Sequence, residues 1–91
     1  MEDRRRNARM SVDWSVKITT AEESMEGEVK NVSSTGAFIQ CEKPLNANKR
    51  CLLKINLPSG HVEEFRAQVV WSTPPGADES SPQGMGVKFL W

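Results

Sequence analysis

Four arginines, Arg4, Arg5, Arg6 and Arg9, fall within six positions at the start of the chain, countered there only by Glu2 and Asp3. A guanidinium is a planar, permanently charged fork that suits a phosphate, the O6/N7 edge of a guanine, or the face of a flat ring. Lysine supplies six of the other eight basic residues, so arginine is a selective choice here. Taken alone, such a cluster reads first as a solvated tail. A second polar cluster runs Asn31-Val32-Ser33-Ser34-Thr35-Gly36. Asn and Ser can cap backbone N–H groups, and Gly supplies a positive φ or an uncrowded backbone. Alone, it is a plain turn between strands. Reactive side chains are otherwise sparse. There is one histidine, His61, and there are no tyrosines. Cys41 and Cys51 have neither CxxC spacing nor histidine partners, whereas a structural zinc site wants four ligands. No catalytic residue and no metal site is expected, and binding is favoured over catalysis.

The elements that must position these clusters are strands. Val12, Trp14, Val16 and Ile18 alternate with polar neighbours, as do Cys51, Leu53, Ile55 and Leu57. Phe65, Ala67, Val69 and Trp71 share a face, and Met85, Val87, Phe89 and Trp91 repeat the pattern. Shorter strands are expected over about 26–32 and over Ala37, Ile39 and Cys41, with Phe38 on the opposite face. No segment keeps a helical period. Pro58-Ser59-Gly60 reads as a hairpin loop, Pro44 to Lys49 as a second connection, and Thr73 to Gly84 as a long polar loop with three of the five prolines. Six short strands with one apolar face each are best satisfied by an antiparallel β-barrel, which also removes exposed edges. The expected organisation is a flexible arginine-rich arm over residues 1–10 and a barrel over residues 11–91.

At 91 residues with 12 acidic and 12 basic side chains, the chain is one small, charge-balanced domain with a thin core. No apolar run is long enough for a membrane span, and the charged start lacks the apolar stretch of a secretory signal. With two cysteines, this suggests reduced thiols and a cytoplasmic location without membrane insertion. The three tryptophans fit inward faces and are expected in the core. Cys41 and Cys51 read as buried hydrophobes, His61 as solvated, and Glu22, Glu23, Glu26 and Glu28 as an exposed acidic hairpin.

The two clusters gain meaning as a pair. Arg5-Arg6-Asn7-Ala8-Arg9 is an RxxxR, followed 22 residues after Arg9 by the NxSxxG of Asn31 to Gly36. This pair on a small barrel resembles the PilZ domain, the bacterial receptor module for cyclic di-GMP. Gly36-Ala37-Phe38-Ile39, Val69-Val70-Trp71 and Gly84-Met85-Gly86-Val87-Lys88-Phe89 resemble family strands, so the likeness runs from Arg4 to Phe89. It implies that Arg5 and Arg9 take guanine edges, purine faces and phosphates. Asn31 and Ser33 would hydrogen-bond a guanine, and Gly36 would keep the backbone clear. An arginine at the position of Arg4 goes, in this family, with an intercalated ligand dimer, and Arg6 competes for that stacking role.

No cofactor is implied beyond the ligand. The signal would be an arm that orders on cyclic di-GMP and is read by an effector protein. Family members often carry a helix after the last strand, whereas this chain stops at Trp91. That end reads as a minimal version, a truncated one, or one covered by forming a homodimer. A PilZ-like protein-interaction module without nucleotide is the alternative. A single-stranded nucleic-acid binder ranks last, because it wants a basic groove lined by exposed aromatics.

Overall fold

Where apolar and polar residues alternate, the chain pairs. The computed structural model describes residues 10–73 and 83–90. It contains β1 (Met10–Thr19), β2 (Ser24–Val32), β3 (Gly36–Gln40), β4 (Arg50–Asn56), β5 (Val62–Ser72) and β6 (Gly84–Phe89). Every pairing is antiparallel, and the order β1-β2-β3-β6-β5-β4 closes into a barrel. No helix occurs among the described residues, and none is long and apolar enough to cross a membrane. The six-stranded barrel expected from the period-two runs is the observed fold.

Inward positions of all six strands meet in one core, with Ile18, Val29, Ile39, Leu53 and Met85 at 1% exposure or less. Each such side chain is worth about 1.5–3 kcal/mol of burial. Leu45, in the β3–β4 connection, joins this core. Its loop is stitched to β5 by Asn48 N–H to Val69 O (2.7 Å) and Val69 N–H to Lys49 O (2.8 Å). Cys41 and Cys51 are buried free thiols, as expected. Burial pushes Cys41 up, and burial together with nearby Cys41 pushes Cys51 up to about 11.

Two expectations need correcting. Met10, assigned above to the arm, already pairs with Val32 in β1. Side-chain alternation does not show where backbone pairing begins. Trp71, assigned to the core, is 49% exposed. A bulge in β5 between Val69 and Trp71 inserts Val70, so Val69 faces Val87 inside while Trp71 pairs with Gly86 outside. A one-residue slip sends every later side chain to the other face. Trp14 keeps the expected arrangement, half-buried and packed against the core.

Candidate functional site

The turn between β2 and β3 is built by its own side chains. Ser33 N–H donates to Gly36 O (2.8 Å) and closes it. Thr35 N–H donates to Ser33 Oγ at 3.3 Å, Ser33 Oγ donates to Gly36 O at 3.4 Å, and the Ser33 and Thr35 hydroxyls lie 3.2 Å apart. Gly36 is buried, and a Cβ there would collide with the Val87 carbonyl oxygen. Its bareness lets the turn dock on β6, and it has no left-handed φ. Ser33 and Gly36 are therefore brought together, 33 through its hydroxyl and 36 through backbone clearance.

Asn31 is placed by a bulge. Between Val29 and Asn31, β2 carries Lys30 as an extra residue against β3. On the other side, Val12 and Asp13 of β1 face that same position. Lys30 Nζ bridges the irregularity, 2.9 Å from Glu28 Oε1 and 3.0 Å from Asp13 Oδ1. The Glu28 and then the Asp13 hydrogen bond hold its ammonium above the usual lysine value. The result is that Asn31 pairs with Phe38 on the outer face, while Val29 stays inside opposite Ile39.

The register then runs on around the barrel: Asn31 opposite Phe38, Phe38 opposite Gly86, and Gly86 opposite Trp71. Three strand spacings make this row about 14 Å long. Phe38 and Trp71 stack across it with ring centroids 5.5 Å apart and planes 18° apart. Gly86 makes the stack fit, since a Cβ there would collide with the Trp71 indole. One position further along β6, outward-facing Lys88 pairs with Gly36 and is exposed. The outer face thus holds a half-buried amide, a two-ring shelf and a cation around the turn. Sequence reasoning missed Phe38, Trp71 and Lys88 as site residues. The GMG of β6 was the available signal, because two outward glycines leave room for something flat to lie on the strand.

Arg4, Arg5 and Arg9 lie outside the described residues. Among the described residues, no group of three or more His, Cys, Asp or Glu could hold a metal ion. The family model for the PilZ domain matches residues 3–91. The chain belongs to the PilZ domain family. Solved PilZ structures share its fold. The PilZ domain of YcgR from Escherichia coli, solved with c-di-GMP, superposes with a TM-score of 0.76 at 19% identity, covering 96% of this chain and 78% of that one. The Bacillus subtilis inhibitor of motility (MotI/DgrA) gives 0.75 at 22% identity, covering 97% and 43%. A crystal structure of YcgR in complex with c-di-GMP gives 0.77 at 19% identity, covering 96% and 38%. This PilZ domain therefore spans less than half of the two longer chains. No curated protein matches the chain by sequence.

Proposed function

We propose that this PilZ domain is a cyclic di-GMP receptor that acts as an adaptor in the bacterial cytoplasm, a binding module rather than an enzyme. The observation that carries the reading is the outer row: the register sets the Asn31 amide beside the Phe38–Trp71 shelf and next to the Ser33–Gly36 turn. A guanine needs an edge partner and a flat face, and this row offers both. Asn31 and Ser33 serve the guanine edge, Trp71 and Phe38 its face, and Lys88 a phosphate. Arg5 and Arg9 clamp the ligand from the N-terminal arm, and Arg4 supports a second, intercalated ligand. The YcgR PilZ domain, solved with c-di-GMP, supports this choice of ligand. Ordering of the arm then presents a changed surface to an effector protein.

One observation favours a second reading, a protein-interaction module without nucleotide: Val70 and Trp71 expose 54% and 49% of their surface side by side. Isothermal titration calorimetry with cyclic di-GMP separates the two, with GTP and cyclic di-AMP as controls and Arg5→Ala in parallel. Selective binding that the variant loses, at two ligands per chain, is the expected result. Arg4→Ala should lower that ratio toward one. A folded protein giving no heat with any of the three nucleotides would overturn the receptor reading and leave the interaction module.

A further inference from the structure

A second outer surface, outside the Asn31–Phe38–Gly86–Trp71 row, holds charges that form no ion pair among the described residues. Thr19, Thr20 and Ala21 at the end of β1, Arg50 and Leu52 of β4, Arg66 of β5 and Leu90 border a groove of about 580 Å³. Arg50 pairs with Gln68 and Leu52 with Arg66. The two arginines are therefore diagonal neighbours on the outer face, at positions whose Cα atoms lie about 7–8 Å apart. They are the two arginines among the described residues, and neither takes part in an ion pair there. No carboxylate lines the groove. Glu64, two residues from Arg66 on the same face of β5, is held by Lys54 at 3.6 Å, so an acidic occupant of the groove would add a favourable contact to both arginines.

The acids lie beside the groove and are held out of it. The β1–β2 hairpin carries Glu22 and Glu23 immediately after the groove-lining Thr20 and Ala21. Thr20 pins that tip: its N–H donates to Glu23 O (2.8 Å), and its Oγ1 accepts from the N–H groups of Glu22 (3.2 Å) and Glu23 (3.1 Å). Glu22 is drawn outward to Lys49 at 3.0 Å, which also lowers its carboxyl pKa. Glu23 is exposed and takes no part in an ion pair among the described residues. A fixed acidic tip and an arginine groove thus share one patch, and among the described residues they form no ion pair with each other.

A surface that carries a feature and its complement side by side is what a two-fold interface requires, because each copy then offers its tip to the other's groove. We propose that the Arg50–Arg66 groove is a self-association surface that receives the Glu22–Glu23 hairpin tip of a second copy. Leu52 and Leu90 supply the apolar floor. Exposed ion pairs add little by themselves, so the dimer is weak and salt-sensitive. None of Asn31, Phe38, Gly86 or Trp71 lines the groove, so the interface stands independently of the ligand reading.

Sedimentation equilibrium of the 91-residue chain, in low and high salt, tests it with two charge-reversed variants. The expected result is a concentration-dependent dimer that salt weakens. R50E/R66E and E22K/E23K should each raise the dissociation constant by at least about tenfold, since like charges then face each other. Mixed together, the two variants should associate again, because each acidic tip meets a basic groove and each basic tip an acidic one. Circular dichroism establishes that both are folded. A wild-type chain that stays monomeric at high concentration in low salt would overturn the proposal. So would a dimer that survives both reversals, or folded variants that fail to associate when mixed.

Discussion

The two ladders that share β5 are built differently. Toward β4, seven consecutive pairs run from Arg50↔Gln68 to Asn56↔Val62 without a break. Toward β6, the register slips between Val69 and Trp71, and β2 slips likewise against β3 before Asn31. The regular ladder keeps a strict inside–outside alternation and delivers Leu53 and Ala67 to the core. The bulged ladders give up one backbone pairing each, and in return turn Trp71 and Asn31 outward onto one row. Regular pairing serves the core here, while the irregular pairings serve the surface where a ligand would sit.

That division predicts which substitutions change stability and which change binding. Leu53→Ala, in the regular ladder and fully buried, should cost about 2–5 kcal/mol of stability. Cyclic di-GMP affinity of the remaining folded protein should be unchanged, as read by urea denaturation and calorimetry. Gly36→Ala forces a Cβ into the Val87 carbonyl and should cost about 1–3 kcal/mol, as overpacking does. Unchanged stability would mean that the bareness of Gly36 serves something other than docking on β6. Trp71→Ala should do the reverse of Leu53→Ala. Losing one stacking face should weaken ligand binding by about 1–3 kcal/mol, with little change in the urea midpoint. Equal losses in both measurements would erase the contrast between the ladders.

The smallest effect lies in the core thiols. Cys51, pushed up to about 11, stays protonated in the folded chain above the pH at which an unfolded thiol ionises, about 8.5. Its contribution is complete below that pH and is lost as pH rises toward 11, because only the unfolded state releases the proton. Urea midpoints should fall between pH 8.5 and 10.5, and Cys51→Ala should flatten the fall.

The same contrast explains what could be read from the residues beforehand. Strand positions, barrel closure and the Ser33–Gly36 turn follow from alternation and turn chemistry. The regular ladder behaves as alternation says, so Cys51, Leu53 and Ile55 face inward as expected. Trp71 turns outward where alternation places it inside, because Val70 carries no sequence mark of a bulge: it is a second β-branched residue directly after Val69. The Asn31–Phe38–Gly86–Trp71 row depends on register across four strands, and no local spacing encodes that. Gly84 and Gly86 hinted at it, since glycines in mid-strand are otherwise costly.

The most direct test of the central claim is a two-dimensional amide NMR titration of the 91-residue chain with cyclic di-GMP. The account predicts shifts at Asn31, Ser33, Thr35, Phe38 and Gly86 and at the Trp71 indole N–H, with Lys17, Leu52 and Arg66 unmoved. Shifts confined to β1 and β4, or none along the row, would contradict it.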